Sequence, residues 1–125
     1  VALWPREDLP LLTVEIDHLR WIDLLRRSVA AAPGEQPPTP PLDPHDCRFG
    51  HWLNSVGRQR YGHYPSFDKL VRAHEDVHRA GREIEAIARY DRGTAREHFS
   101  GLEQGRDKLL DALEDLRAEV LSSAC

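Results

Sequence analysis

The chain lacks several features that mark common classes of protein. Its longest apolar runs extend over only a few residues, too short for a membrane-spanning helix. No positively charged start is followed by an apolar stretch, so no signal peptide is visible. Lysine and arginine are spread along the chain without a basic patch, and the formal net charge is -4. These features argue against a membrane or a nucleic acid as a partner.

Methionine is absent and cysteine is scarce. The 125 residues begin at Val1 and contain no methionine, which is typical of a domain cut from a longer protein. The two cysteines are Cys47 and Cys125, and a disulfide between them competes with a metal-binding role for Cys47. Cys125 is the last residue and is expected on a frayed tail. A free thiolate suits a reducing, cytoplasmic setting, and the length suits one domain with a modest core.

Helical periodicity dominates the first part of the chain. From about Arg6 to Ala32, apolar residues and one histidine recur in two adjacent rows with helical spacing. The first row is Leu11, Val14, His18, Trp21 and Leu25, and the second is Leu12, Ile16, Leu19 and Ile22. Six prolines between Pro33 and Pro44 then exclude a helix or central strand. This proline-rich loop, residues 33–44, is predicted to be exposed and stiff.

Three more helices are predicted after the loop. A short helix runs from Asp46 or Cys47 to about Ser55 or Val56, with Asp46 as its N-cap and Gly57 at its end. The third helix is capped by Ser66, and the last helix by Thr94. Their apolar stripes are Phe67, Leu70, His74, Val77, Gly81, Ile84 and Ala88, then Phe99, Leu102, Leu109, Leu113, Leu116 and Val120. With no strand-like alternation, the prediction is an all-α fold, an antiparallel four-helix bundle with a short extra helix that carries Cys47.

Three histidines and one cysteine fall at predicted inward-facing positions. His74 and His78 stand at i and i+4, so their rings share one helix face. His18 lies in the first apolar row, and the expected helix N-terminus at Cys47 favours its thiolate. Three imidazoles and one thiolate complete a tetrahedral set for zinc. Such a closed set predicts a sensor or a structural site rather than a hydrolase.

Each of these residues also has an ordinary interpretation. His18 alone would be a core histidine with one hydrogen bond, and His74 with His78 would be a surface pair. Cys47 alone would be a small buried hydrophobe. The metal site is favoured because all four occur together at inward positions.

The segments around these residues resemble the chemoreceptor zinc-binding domain family. The family pattern has a His in the first helix, then Cys-x-Phe/Leu-Gly-x-Trp, then His-x-x-Val/Ile-His. In this chain the corresponding segments are Asp17-His18-Leu19, Cys47-Arg48-Phe49-Gly50-His51-Trp52 and His74-Glu75-Asp76-Val77-His78. The resemblance extends over roughly residues 9–121, and the Cys-to-Trp segment is its most specific part.

The resemblance implies a bacterial cytoplasmic sensory domain that is not an enzyme, and the length predicts that residues 1–125 form a single domain. It implies one zinc ion held by His18, Cys47, His74 and His78. Such domains accompany chemoreceptors or diguanylate cyclases and often form homodimers. Two inputs are implied: zinc itself, and oxidants such as hypochlorous acid that attack the zinc-bound thiolate. The proline-rich loop is longer than the family pattern.

Other residues near the site are expected to have supporting roles. Trp21 and Trp52 should pack around the ion and exclude water, together with Phe49 and Gly50 of the cysteine segment. The other histidines are expected on the surface, and they are His45, His51, His63 and His98.

A second motif lies in the same residues. His74-Glu75-Asp76-Val77-His78 also spells H-E-x-x-H, in which two histidines bind zinc and the glutamate acts as general base. A third ligand could then come from Glu97, His98 or Glu103. No strand is available to hold an extended substrate, and His18 with Cys47 would close the site. A di-iron carboxylate bundle would need Glu-x-x-His pairs on two helices, which the chain lacks.

Four functions therefore rest on these residues. They are zinc sensing, redox sensing through Cys47, a structural zinc site in an interaction module, and H-E-x-x-H hydrolysis. Zinc sensing is favoured, and redox sensing is the main alternative.

Overall fold

The computed structural model describes residues 8–31 and 40–123, and these residues form helices and loops without strands. The helices are α1 Leu9–Ala30, the short 3₁₀ helix Pro44–Asp46, α2 Arg48–Leu53, α3 Val56–Tyr61, α4 Pro65–Ala88, α5 Arg92–Glu97 and α6 Phe99–Ser123. The all-α prediction is confirmed. In the described part of the chain, no helix combines the length and apolar character needed to cross a membrane.

The three long helices α1, α4 and α6 form the frame. Contacts Arg117–Leu11 and Arg26–Glu103 join opposite ends of α1 and α6, so these two helices are antiparallel. Helix α6 is also antiparallel to α4, because Glu119 near its end accepts a hydrogen bond from the backbone N–H of Ser66 in the first turn of α4. It follows that α1 and α4 run parallel to each other. Among the described residues there are three long helices, and the antiparallel four-helix bundle is not confirmed.

Several predicted helix ends are wrong. The short helix divides into α2 and α3, and Gly57 lies inside α3 instead of ending α2. Cys47, not Asp46, is the N-cap of α2, because its sulfur accepts the N–H of Gly50. Tyr64 precedes α4, while Ser66 lies inside its first turn. Arg6, Ala32 and most of the proline-rich loop lie outside the described residues.

The last helix also begins differently from the prediction. Asp91 caps α5 by accepting the N–H of Thr94, which therefore lies within the helix. Helix α5 ends at Glu97, His98 forms a turn, and α6 begins at Phe99. The stripe of the last helix still packs into the core, where Leu102, Leu109, Leu113 and Leu116 are buried.

The two apolar rows of α1 have different surroundings. The first row, including His18, is buried against α4 and α6. Three members of the second row remain exposed: Leu12 at 44%, Ile16 at 54% and Leu19 at 45%. This exposed row forms an apolar stripe along one face of α1.

Candidate metal centre

Helices α1 and α4 and the N-cap of α2 bring four potential ligands together. One ligand atom each from His18, Cys47, His74 and His78 all lie within 4.8 Å of one another. The three histidines are at most 2% exposed, and Cys47 is half-buried. Four residues from distant parts of the sequence thus converge in the interior.

His18 is oriented by a bond within its own helix. Its Nδ1 lies 2.9 Å from the carbonyl oxygen of Val14, one turn earlier. A carbonyl can only accept, so Nδ1 carries the proton and donates. The Nε2 atom is then left with a free lone pair, the form that a metal-binding imidazole needs.

His78 is oriented in the same way by a residue from another segment. Its Nδ1 lies 3.2 Å from the carbonyl oxygen of Leu42, to which it donates. Its Nε2 is buried and has no hydrogen-bond partner among the described residues. A buried polar atom without a partner is rare and costs free energy, so this nitrogen fits the role of a metal-binding atom.

His74 and Cys47 face each other directly. The Nε2 of His74 lies 3.1 Å from the sulfur of Cys47. The same sulfur accepts the backbone N–H of Gly50 at 3.2 Å. This donor from the first turn of α2 points at the atom that would carry negative charge as a thiolate.

Burial controls the charge of the four groups. Desolvation lowers the pKa of His74 to about 2 and that of His78 to about 4, and it also lowers the pKa of His18. The imidazoles are therefore neutral near pH 7. Burial raises the pKa of the Cys47 thiol and outweighs the N–H donors of α2, so the expected preference for thiolate is not found in the metal-free protein.

Aromatic side chains enclose the four residues. The ring of Phe49 packs edge-on against His18 and His74, with centroids 6.0 and 5.2 Å away. Trp21 packs on His78 at 4.7 Å. Trp52 is one layer further out and stacks on Phe49. Three aromatic side chains thus lie in layers beside the four residues, and their role in excluding water from an ion stays a prediction.

Two glycines permit close approach at this centre. A Cβ atom at Gly50 would lie 1.7 Å from the carbonyl oxygen of Pro44. A Cβ atom at Gly81, in the middle of α4, would lie 2.2 Å from the indole ring of Trp21. Any larger residue would push the segment before Cys47, or Trp21, away from the site.

The donor set suits zinc. Tetrahedral ligands that are 2.0–2.3 Å from an ion lie roughly 3.3–3.8 Å from each other. The four atoms all lie within 4.8 Å of one another, so shifts of about 1 Å would bring them to these separations around an ion. Thiolate and imidazole favour zinc over hard cations such as Mg²⁺, which prefer oxygen.

The H-E-x-x-H alternative finds little support in the geometry. Glu75 is exposed and lies in a surface cleft with Arg79 and Arg82. Glu97 is exposed, and Glu103 pairs with Arg26 on α1.

The remaining histidines and Cys125 are not part of the group. His45, His51, His63 and His98 are exposed, as expected for surface residues. Cys125 lies outside the described residues.

Several supporting residues were missed by the sequence reasoning. Arg48, next to Cys47, forms three hydrogen bonds with Asp17, next to His18, and so joins α2 to α1. Arg82 donates to the same carbonyl oxygen of Leu42 that His78 uses. No short sequence pattern predicts either pairing, because the partners are 31 and 40 residues apart in the sequence.

These features define a helical domain with a buried centre of three histidines and one cysteine, a class suited to binding one zinc ion. The chain belongs to the family of the chemoreceptor zinc-binding domain, whose model matches residues 18–85, more than half of the chain. All four clustered residues lie inside this match. The match ends within α4, before α5 and α6.

A relative supports this assignment. The diguanylate cyclase DgcZ of Escherichia coli (strain K12) is 26% identical over 108 residues, which cover 84% of this chain and 36% of that protein. The chain thus spans about a third of the length of this curated relative. No solved structure matches the chain.

Proposed function

We propose that this chain is a zinc-binding sensory domain in which His18, Cys47, His74 and His78 hold one zinc ion. The observation that carries the proposal is the buried cluster of four donor atoms, in which the Nε2 of His78 has no partner among the described residues. Zinc would supply a positive charge that holds Cys47 as thiolate and joins the four donors. Residues 1–125 would act as one unit, with the core at about residues 9–121.

The sensory role follows from what the four residues connect. His18 belongs to the long helix α1, His74 and His78 belong to α4, and Cys47 caps the short helix α2. Because ligand binding free energy becomes folding free energy, occupancy would tighten α2 against the two long helices. An attached or partner output domain would respond to this shift between two states. DgcZ carries the name of a diguanylate cyclase, which supports an output of that type, and the family name supports chemotaxis.

We propose that the domain itself is not catalytic. The four donors fill a tetrahedral shell, so no position remains for an activated water. Glu75, which would be the general base of H-E-x-x-H, is exposed and lies outside the cluster. A cysteine that binds metal as a thiolate must stay out of disulfides, which favours a reducing, cytoplasmic location.

A redox input is the second candidate. A cleft of about 290 Å³ between α1 and the segment 46–49 reaches Cys47 and His18. A small oxidant such as hypochlorous acid can enter a cleft of this size. Two-electron oxidation of the thiolate would yield the sulfenic acid and release chloride, and the sulfur would then be a poor ligand.

A homodimer is supported by the exposed stripe Leu12, Ile16 and Leu19 on α1. An apolar row of this kind on a surface helix is an interface candidate. The antiparallel four-helix bundle stays a prediction for the whole chain.

A zinc titration tests the proposed site. Metal-stripped protein is titrated against a competing chelating dye, with Cys47→Ala and His18→Ala as variants. The expected result is one tight site per chain, with a loss in each variant beyond the roughly 10–100-fold that removal of a direct hydrogen-bond partner of a metal ligand costs. The matched control is His98→Ala, an exposed imidazole that donates to Thr94. Tight binding that survives both ligand variants would contradict the site.

A further inference from the structure

The segment before Cys47 passes over the buried cluster as a strap, defined here as residues 40–46. Its carbonyl oxygens accept hydrogen bonds from the surrounding elements. The indole N–H of Trp21 on α1 donates to Pro41 at 2.5 Å, and Arg82 on α4 donates to Leu42 at 3.0 Å. The strap is thus held by side chains of both long helices that carry histidine ligands.

Arg82 and His78 act on the same atom of the strap. The Nδ1 of His78 and the guanidinium of Arg82, one turn further along α4, both donate to the carbonyl oxygen of Leu42. A carbonyl oxygen has two lone pairs, so both bonds can form together. The charged bond from Arg82 is the stronger type. The hydrogen bond from Arg82 therefore helps to keep the carbonyl group of Leu42 next to His78.

Trp21 holds the other side of the strap. Besides its bond to Pro41, its ring packs on His78 and fits against Gly81. Proline has no N–H, so Pro40, Pro41 and Pro44 cannot add backbone donors of their own. At Pro41 and Leu42 the hydrogen bonds that attach the strap come from side chains of α1 and α4.

The strap separates two surface clefts. Pro41 lines the cleft that reaches Cys47 and His18, whereas Asp43 and Pro44 line a cleft on the other side, beside Glu75 and Arg82. Raising the strap would join these clefts above the cluster. Elsewhere the histidines are covered by packed helices and are nearly inaccessible.

We propose that the strap controls metal exchange, and that Arg82 and Trp21 are positioning residues that keep it closed. This inference rests on the proposed zinc site. Opening of the strap would set the rate at which zinc enters and leaves, while the four ligands set the equilibrium affinity.

Exchange kinetics test this inference on the zinc-loaded 125-residue chain. Zinc release is followed after mixing with excess chelator at two chelator concentrations, and zinc uptake is followed on the metal-stripped chain. Arg82→Met keeps the apolar stem and removes the charged donor, and Trp21→Phe keeps an aromatic ring and removes the indole N–H. Both release and uptake are expected to accelerate about tenfold, the order for loss of one strong hydrogen bond. The dissociation constant is the ratio of the release rate to the uptake rate. It should change by less than about threefold, because opening of the strap limits both rates equally.

The matched control is Arg79→Met. Arg79 is exposed on the same helix, lines the same cleft as Arg82 and pairs with Asp76. Its substitution should leave both rates unchanged.

Three results would overturn the inference. Unchanged rates in both variants would show that the strap does not limit exchange. Faster release with unchanged uptake and a matching loss of affinity would assign Arg82 and Trp21 to ligand stability instead. An unsubstituted chain that binds no zinc would overturn the proposed function as well, whereas tight zinc binding with unchanged rates would overturn the strap alone.

Discussion

At the scale of single residues, one hydrogen bond decides which nitrogen of an imidazole is available to a metal. Val14 and Leu42 each accept from an Nδ1 atom, which leaves the Nε2 atoms of His18 and His78 unprotonated. Burial keeps the rings neutral by lowering their pKa. The histidines are therefore prepared for coordination before a metal arrives, and Cys47 is the residue that must lose a proton.

The number of protons released on zinc binding tests this charge state. We expect about one proton, from Cys47, because its raised pKa keeps the thiol protonated at pH 7. Affinity should then rise about tenfold per pH unit between roughly pH 6 and 8. With ordinary histidine pKa values of about 6.5, protons from the imidazoles would be released as well at the lower end of this range.

Isothermal titration calorimetry at pH 6.0 and 7.0, in buffers with different ionisation enthalpies, counts these protons. His98→Ala should not change the count, because its ring lies outside the cluster. Release of more than about two protons at pH 6.0 would contradict neutral, buried histidines.

At the scale of elements, a buried carboxylate connects the start of α1 to α2 and α3. Asp8 is fully buried, and it accepts hydrogen bonds from the indole N–H of Trp52 and from the hydroxyl of Tyr61. Arg60 approaches the same carboxylate at 3.3 Å. Trp52 in turn stacks on Phe49 beside the cluster. Asp8 thus fixes the short helices α2 and α3 to the start of α1.

Asp8→Ala should destabilise the metal-free protein. The substitution removes one acceptor that Trp52 and Tyr61 share in the interior, and the expected loss is about 2–3 kcal/mol in the free energy of unfolding. Urea unfolding followed by circular dichroism measures this change.

The matched control for Asp8→Ala is Asp23→Ala. Asp23 lies on the surface of α1 and pairs with Arg27. Its cost should stay within about 0.5 kcal/mol, as is usual for an exposed position. Equal effects of the two substitutions would refute the proposed role of Asp8 as an anchor.

At the scale of the whole molecule, α1 and α4 run parallel, and one side of α1 is not covered by any of the residues that the structure describes. Helix α6 packs against both, and the first row of α1 faces the interior. Within the part of the chain that is described, the second row lies outside the core, apart from the buried Ile22. This geometry supports a second copy as the partner of the stripe.

Ile16→Lys should convert a dimer into a monomer. Ile16 is the most exposed member of the stripe at 54%, and a charge there would have to be desolvated at the interface. Sedimentation equilibrium should give a dimer for the unsubstituted chain and a monomer for the variant. Glu15→Lys, an exposed neighbour outside the stripe, is the control and should remain dimeric. A monomeric unsubstituted chain, or a dimer that persists in Ile16→Lys, would exclude this interface.

Local patterns in the sequence determined the helical class and selected the residues that cluster. Apolar spacing depends only on neighbouring positions, and it correctly assigned the buried stripe of α4 and the inward position of His18. The i and i+4 spacing placed His74 and His78 on one helix face, whereas His18 and Cys47 were selected by residue type and by their inward-facing positions. Helix ends were less predictable, since Cys47 and Asp91 took the capping roles assigned to other residues.

Only the tertiary structure decided how these helices are placed and which groups orient the site. Two adjacent rows on α1 have the same periodicity, and only packing against α4 and α6 shows that Ile16 is exposed while His18 is buried. The acceptor for His78 comes from a residue 36 positions away, and the donor for Pro41 from one 20 positions away. Such contacts depend on chain segments that meet only after folding, so no local spacing encodes them.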